Sequence, residues 1–249
     1  MFDCPEPGVS RYFQWKHYVD IPVALLLSLI ALPIIAVAWV LVRATSPGPG
    51  FYKQVRLGLD GKPFTIYKLR TMWVNAEAAT GAVWAARNDK RITPVGRILR
   101  KTYIDELPQL LNVLRGDMSL VGPHPERPEI VAELENRIDG YVYRLYVKPG
   151  LTGLALLNYG SDTDLNDVRS KLALDFEYIE SSSFGFDMRA IVCSVLKAAL
   201  ICRPAVLGFF RLRRVAEQSR WVTSLPLNNY TVAGDEERLS KILVRQATV

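Results

Sequence analysis

Residues 21–42 read IPVALLLSLIALPIIAVAWVLV, a stretch without a charged side chain. As an α-helix it would measure about 33 Å, and the hydrocarbon core of a bilayer is about 30 Å thick. Pro33 lies near its middle, where a proline removes a backbone hydrogen bond and breaks or bends a helix. Basic residues flank the stretch on both sides: Arg11, Lys16 and His17 before it, and Arg43, Lys53 and Arg56 after it.

Positive charge marks the cytoplasmic side of a membrane segment, so basic flanks at both ends favour a segment that returns to the face it entered. We therefore predict a re-entrant membrane helix over residues 20–46. A kinked helix that spans the bilayer is the alternative. A signal peptide fits poorly, because its apolar core would be shorter and a small-residue cleavage site would follow.

Composition limits the partners of the chain. Its 249 residues carry 31 Lys and Arg against 25 Asp and Glu, a net charge of +6. This excess suits lipid headgroups or phosphorylated substrates. It is too small to indicate nucleic acid, and the aromatic residues are not interleaved with basic ones as stacking platforms would be. The three cysteines form no CxxC pair, and with two histidines a Ser-His-Asp hydrolase is improbable.

The rest of the chain predicts an α/β fold that is mostly helical. Residues 51–69, FYKQVRLGLDGKPFTIYKL, read as two short strands around Asp60-Gly61, a strong hairpin signal. Thr93-Pro94 is typical of a helix start. A second helix carries leucines at helical spacing, and Gly116 ends it; these leucines are Leu107, Leu110, Leu111 and Leu114. Further helices are expected near 129–137 and over 164–181, and 187–214 is either an interfacial or a core helix.

An acidic pair, Asp105-Glu106, precedes Pro108. Because proline is comfortable only in the first turn of a helix, the pair lies at or just before a helix N-terminus, where backbone N–H groups favour anions. Neighbouring side chains on a helix point about 100° apart, so one carboxylate can attack while the other holds Mg²⁺. The alternative is that Asp105 is a simple N-cap and Glu106 a first-turn acid.

Basic residues crowd the segments on either side of this pair, and a diphosphate needs such cations before it can approach a carboxylate. They are Lys53, Arg56, Lys68, Arg70, Arg91, Arg97, Arg100, Lys101 and Arg127. No Walker A motif is present, because Gly61-Lys62 is followed by Pro63, and no GxGxxG follows a strand. A carboxylate beside a magnesium ligand and several arginines, next to a membrane segment, is what phosphoryl transfer to a lipid requires.

Three motifs resemble the bacterial sugar transferase family, the monotopic phosphoglycosyl transferases. They are ITPVGRILRKTYIDELPQLLNVLRGDMSLVGPHPERPE at 92–129, FYKQVRLGLDGKPFTIYKLRTM at 51–72 and VKPGLTG at 147–153. The resemblance covers roughly residues 20–200. It implies a re-entrant helix broken at Pro33 and a small catalytic domain at the cytoplasmic face of the bacterial inner membrane, closed by interfacial amphipathic helices.

The resemblance also implies the chemistry. Asp105 would attack the β-phosphate of a UDP-sugar, UMP would leave, and the covalent phospho-sugar would pass to polyprenyl (undecaprenyl) phosphate, which initiates exopolysaccharide or other glycoconjugate synthesis. Glu106 would bind the Mg²⁺. The predicted phosphate- and substrate-binding residues are Gln54, Arg56, Lys68, Arg70, Arg97, Arg100, His124 and Arg127.

The chain departs from the family pattern at three places. His124 stands where the family has an arginine that is expected to contact phosphate, and a neutral histidine is a weaker phosphate partner. Leu32 replaces the serine often found before the membrane proline. Residues 154–158 read LALLN in place of Trp-Ala-Gln-Val-Asn, in a region that shapes the sugar or lipid pocket.

These predictions divide the chain into an N-terminal interfacial segment (1–19), the membrane helix (20–46), the catalytic domain (47–204) and a basic, amphipathic tail (205–249). Two other functions remain open at this stage: a membrane phosphohydrolase that uses Asp105, and a non-catalytic scaffold of a polysaccharide assembly machine. A homodimer is also left open.

Overall fold

The computed structural model describes residues 4–76, 89–160, 164–199 and 204–225. Most of residues 74–90, which show little periodicity in the sequence, and the final part of the predicted tail lie outside the described residues. Within them the fold is mostly helical, with two small sheets and one long apolar helix near the N-terminus, which confirms the predicted class.

Helix α1 (His17–Thr45) contains the apolar stretch. It is long and apolar enough to cross a membrane by length and composition. The helix runs through Pro22 and Pro33 as one continuous segment, so the helical turns are not interrupted at Pro33. A bend at Pro33 stays a prediction. A proline in a helix interior removes one hydrogen bond, and the bonds of the neighbouring turns hold this 29-residue helix together across the gap.

A stripe of small residues on α1 faces the rest of the protein. Ala24, Ala31, Ala38 and Val42 are buried, whereas large apolar side chains such as Leu29 point outward. Small side chains let two backbones approach closely, so the domain packs along most of the helix. Only 17% of the most apolar part of α1 is buried. The helix therefore exposes a broad apolar surface, larger than soluble proteins usually expose to water.

The predicted hairpin is confirmed. Strand β1 (Phe51–Leu57) pairs antiparallel with β2 (Pro63–Leu69). A 3-10 turn at Leu59–Gly61 joins them, in which Asp60 (φ 55°) and Gly61 (φ 71°) are left-handed. Such backbones suit the twist of a tight hairpin, and Asp and Gly tolerate them best. Because Tyr52 pairs with Lys68 and Gln54 with Ile66, alternation along the strands places Gln54, Arg56 and Lys68 on one face.

Two helical segments follow. Helix α2 (Pro94–Lys101) begins as predicted, with Thr93 accepting a hydrogen bond from the Gly96 N–H at 2.9 Å. A 3-10 helix (Ile104–Gln109) then leads into α3 (Leu110–Arg115), which ends at Gly116 (φ 83°). The predicted stop is therefore confirmed. The start differs, because the carboxylate pair and Pro108 both lie inside the 3-10 helix.

A second, parallel sheet joins β3 (Ser119–Val121) to β4 (Gly150–Thr152). It brings the proline-rich loop after β3 (residues 122–128, GPHPERP) against the VKPGLTG motif. The backbones meet so closely that a Cβ on Gly150 would lie 2.1 Å from the nitrogen of Gly122, so only glycine fits there. The other helices are α4 (Pro128–Leu134), α5 (Leu154–Asn158), α6 (Leu165–Ser181), α7 (Phe184–Ala198), α8 (Pro204–Phe209) and α9 (Arg220–Ser224).

The described parts of the N-terminal segment and of the predicted tail pack into the core more than the predicted boundaries imply. Tyr12 is buried, and the Ser10 N–H donates to the carbonyl of Ile179 in α6. Beyond residue 205, the side chains of Leu212 and Trp221 are buried in the two largest hydrophobic clusters. The described part of the predicted tail is therefore folded. Helix α7 has a buried face and an exposed apolar face, and Phe209 of α8 is 83% exposed.

Candidate active site

The carboxylate pair lies in the first turn of the 3-10 helix. Tyr103 precedes this turn in the left-handed conformation (φ 56°), unusual for a residue with a large side chain. Asp105 is 7% exposed. Glu106 accepts a hydrogen bond from Lys68 Nζ of β2 at 2.7 Å, with both side chains largely buried. The hairpin therefore places the Lys68 ammonium next to the carboxylate pair.

Both carboxylates line a cleft of about 530 Å³. Six of the eight predicted substrate-binding residues line the same cleft: Gln54, Arg56, Lys68, Arg70, Arg100 and Arg127. Cations from the hairpin, from α2 and from the proline-rich loop thus surround the acidic pair. This volume and charge suit a ligand that carries phosphate groups.

Two predicted residues lie elsewhere. Arg97 is exposed on α2 and does not line the cleft. His124 lines a small neighbouring cavity of about 70 Å³ together with Tyr141, Arg144 and Asp175. Burial lowers the pKa of His124 to about 4, with the cations Lys68 and Arg56 adding to the shift and Glu106 opposing it. The imidazole is therefore neutral at pH 7.

Arg70 is hydrogen-bonded to the backbone that follows α1. Its guanidinium donates to the carbonyl oxygens of Ser46, Pro47 and Pro49 at 2.9, 2.6 and 2.6 Å, and to Ser46 Oγ at 2.9 Å. Arg70 is one of the predicted phosphate- and substrate-binding residues. The structure shows that it fixes the end of the membrane helix against the cleft, because a planar fork of donors can satisfy several carbonyls at once.

Two arginines are hydrogen-bonded to the proline-rich loop. Arg56 Nη1 donates to the carbonyl of Pro125 at 3.0 Å and to Glu126 at 2.8 Å, and Gln54 Oε1 accepts from the same guanidinium. Arg144 donates to the carbonyl of His124 at 2.9 Å and to Asp175 at 2.8 Å. Arg56 thus also has a positioning role.

The two carboxyl groups titrate far apart. Burial and the neighbouring Glu106 charge raise the pKa of Asp105 to about 6, although Lys68 and Arg100 oppose the rise. Burial would also raise the pKa of Glu106, but the Lys68 ammonium outweighs it, with the Arg56 guanidinium adding, and lowers that pKa to about 2. Asp105 is therefore ionised at pH 7 but more basic than an exposed aspartate, and Glu106 is a permanent anion.

Several structurally important residues gave no usable signal in the sequence. Tyr103 and Arg144 stand outside any recognisable chemical pattern, and only their tertiary contacts show their roles. The sequence predicts Lys16 to be part of the basic flank of the membrane segment. It is instead buried, with its ammonium paired to Asp20 at 3.3 Å and to Asp187. Asp20 in turn accepts from Ser119 Oγ at 2.7 Å, so the start of α1 is bound to β3.

A carboxylate pair in a cationic cleft, packed against a long apolar helix, defines a membrane-associated enzyme that handles phosphorylated substrates. Comparison with known proteins agrees, because residues 11–200 match the bacterial sugar transferase family. The chain belongs to this family.

Three relatives show the range of similarity. The chain is 51% identical over 136 residues to a Bacillus subtilis (strain 168) protein provisionally named as an undecaprenyl-phosphate N-acetylgalactosaminyl 1-phosphate transferase, covering 55% of this chain and 75% of the relative. It is 43% identical to a UDP-glucose:undecaprenyl-phosphate glucose-1-phosphate transferase of Caulobacter vibrioides, covering 77% of this chain and 72% of the relative. It is 39% identical to the Escherichia coli (strain K12) protein of the same name, covering 79% of this chain and 42% of the relative.

Proposed function

We propose that this protein transfers a sugar 1-phosphate from a UDP-sugar to undecaprenyl phosphate. Its relatives carry names for this reaction with glucose or N-acetylgalactosamine. The observation that carries the proposal is the arrangement of Asp105 beside Glu106 and Lys68 in a cleft lined by further cations. The 3-10 helix that holds the pair contacts the apolar helix α1.

Asp105 acts as the nucleophile in this proposal. Its carboxylate oxygen attacks the β-phosphorus of the UDP-sugar, the bond to the bridging oxygen breaks, and UMP leaves with the electron pair. The sugar phosphate remains on Asp105 as an acyl phosphate. An oxygen of the lipid phosphate then attacks the same phosphorus and restores the carboxylate. A carboxylate that is ionised at pH 7 and of raised basicity suits this role.

Lys68 and Arg100 supply the positive charge that the first step needs. Lys68 approaches Glu106 directly. Arg100 is oriented by the hydrogen bond that its Nε donates to Thr71 Oγ1 at 2.8 Å. Charge on the phosphoryl oxygens and on the departing UMP is stabilised most by cations that are already positioned in a cleft with little water.

The carboxylate pair fits Mg²⁺, which proteins usually hold through one or two carboxylates plus substrate phosphates. Among the described residues, no group of three or more His, Cys, Asp or Glu side chains could enclose a metal ion. A metal here would therefore share its coordination with the diphosphate, and Glu106, with the lower pKa, would be its protein ligand. When bound, the ion would neutralise diphosphate charge.

We also propose that α1 enters and leaves the cytoplasmic face of the inner membrane without spanning it. Support comes from both ends of the helix. Asp20 is hydrogen-bonded to Ser119 in β3, and the carbonyl of Ser46 to Arg70 after β2. These positions are about 39 Å apart along a helix, more than the thickness of a bilayer core of about 30 Å. A domain on one side of the membrane could not hold both ends of a perpendicular spanning helix.

Labelling tests this topology. In a chain whose three cysteines are replaced by serine, single cysteines are introduced at the exposed positions Arg11 and Lys53. An impermeant maleimide should label neither site in intact spheroplasts and both sites after lysis. Labelling of one site from outside would contradict the re-entrant topology.

Product analysis tests the reaction. The purified protein is incubated with a panel of UDP-sugars, Mg²⁺ and undecaprenyl phosphate, and both UMP and lipid products are measured. We expect UMP release matched by a lipid diphosphate sugar. Free sugar phosphate without lipid product would indicate the phosphohydrolase alternative, and binding without turnover would indicate a scaffold.

A further inference from the structure

A second cavity, of about 420 Å³, lies between α1 and α7. Its lining is almost entirely apolar and includes Leu27, Ile30 and Ile34 of α1, Leu156 of α5, and Ile191 and Val195 of α7. The volume lies in the range of ligand pockets, roughly 300–1,000 Å³. Ile30 is 60% exposed and Val195 is 55% exposed, so the cavity opens on the apolar outer surface of the protein.

The inner end of this cavity meets the cationic cleft. Tyr103 and Glu106 line both spaces, so one residue pair forms the wall between them. A molecule that entered from the apolar surface would therefore reach Tyr103 and Glu106, next to Asp105 in the cleft. The shape suits a long apolar chain with its reactive group at the tip.

Lys197, in the last turn of α7, is the only Lys or Arg among the described residues that line this cavity. Its ammonium donates to the carbonyl of Leu156 at 2.5 Å and lies 5.2 Å from the centre of the Tyr103 ring. The cavity thus presents one positive charge, next to the wall that it shares with the cleft. An anionic group at the tip of an apolar chain would meet that charge.

We propose that this cavity binds the first isoprene units of the polyprenyl phosphate acceptor, and that Lys197 positions the acceptor phosphate beside Tyr103. The inference rests on the proposed function and adds the route by which its second substrate arrives. The acceptor phosphate oxygen forms the new bond to phosphorus, the bond from phosphorus to Asp105 breaks, and Asp105 leaves as a carboxylate. Lys197 offsets the repulsion between the arriving phosphate and Glu106.

Leu156 connects this cavity with the sequence departure at residues 154–158. Leu156 and Leu157 both line the cavity, so this chain presents aliphatic side chains at that point. Isoprene units are branched hydrocarbons, and their burial against apolar side chains is favourable. An aliphatic lining is therefore complementary to the acceptor chain.

The test separates the two substrates kinetically. Lys197→Gln removes the charge, and Val195→Phe narrows the cavity. The controls are Lys62→Gln, at an exposed lysine of the hairpin turn, and Val192→Phe, at an exposed position of α7 that does not line the cavity. We expect Lys197→Gln and Val195→Phe to raise the KM for undecaprenyl phosphate about tenfold, the effect of losing a charge-assisted hydrogen bond or comparable packing. The KM for the UDP-sugar should change less than about twofold, and the controls should match wild type.

A second measurement uses wild-type protein, so it tests the proposal even if the variants fail to fold. Wild-type protein is crosslinked with an isoprenoid phosphate that carries a photoreactive group in its first units. The adduct should map to α1 or α7 around the cavity, and excess phosphatidylglycerol should not displace the probe. An adduct at Phe209, or displacement by the phospholipid, would overturn the assignment and indicate a general lipid surface.

The outcomes also distinguish the two proposals. If wild type forms lipid product and the acceptor KM is unchanged in both variants, this inference is wrong and the proposed function stands. Equal changes in the donor and acceptor KM values would mean that Lys197 supports the fold only, which also overturns it. If wild type forms no lipid product, the proposed function fails and this inference falls with it.

Discussion

Lys68→Gln should shift the acid limb of the pH–rate profile to higher pH. In the native protein the Lys68 ammonium lies 2.7 Å from Glu106 and opposes the rise in the pKa of Asp105. Without the Lys68 charge, the two neighbouring buried carboxylates have less neutralisation. A neighbouring charge in such a site shifts a pKa by about 1–3 units. The pKa of Asp105, about 6 in the native protein, should therefore rise to about 8.

The size of the effect follows from the fraction of ionised nucleophile. At pH 7 that fraction falls from about 90% to about 10%, so the donor half-reaction slows about tenfold, and a two-unit shift corresponds to about 2.7 kcal/mol. A carboxylate is protonated below its pKa, so activity is gained as pH rises. The lost activity should therefore return near pH 9, which a merely structural defect would not allow.

The assay is UMP release without lipid acceptor, measured from pH 5 to 9 at saturating UDP-sugar and Mg²⁺. The matched control is Lys53→Gln, which removes the same charge from an exposed position of the same hairpin, where the ammonium lies 5.7 Å from the centre of the Tyr67 ring. Its profile should overlay wild type. A Lys68→Gln profile that is lowered equally at every pH, with the acid limb unmoved, would refute the electrostatic role of Lys68.

Three further predictions concern other parts of the site. Arg70→Lys should lower the free energy of unfolding by about 2 kcal/mol, since a lysine cannot make the four hydrogen bonds to residues 46–49; an unchanged Tm in detergent would contradict this. Glu106→Gln should abolish metal-dependent turnover while the circular dichroism spectrum stays native, and activity that survives a chelator would exclude the proposed metal role. His124→Arg should destabilise the protein by about 2 kcal/mol, because it forces a larger, charged side chain into a small cavity that Arg144 and Lys171 already line; full stability with unchanged or improved UDP-sugar binding would show that His124 occupies a phosphate site.

The sequence predicted those parts of the fold whose causes are local. The hairpin at Asp60-Gly61, the helix start at Thr93 and the stop at Gly116 each depend on the conformational preferences of a few adjacent residues. The sheet of β3 and β4 was missed, because its strands are only three residues long and pair across the intervening 28 residues. Periodicity cannot register so short an element.

The site, like the fold, could be predicted from the sequence only in part. The nucleophile candidate and most of the cations could be chosen from residue type and motif, and the structure gathers them in one cleft. The separate roles of the cations could not be predicted, because charge alone does not distinguish Arg70, which binds the backbone of residues 46–49, from Lys68, which contacts Glu106. Lys16 was misread for the same reason, since its partners Asp20 and Asp187 meet only in the folded chain.

The most direct test of the proposed mechanism is the covalent half-reaction. Wild-type protein is mixed with a UDP-sugar and Mg²⁺ in the absence of polyprenyl phosphate, and UMP and protein mass are measured together. We predict UMP in an amount equal to the enzyme, with one phospho-sugar on the peptide that contains Asp105. Asp105→Asn, which keeps the shape and removes the anionic oxygen, should give neither. UMP release that strictly requires the lipid, or an adduct on Glu106, would contradict the assignment of Asp105 as the nucleophile.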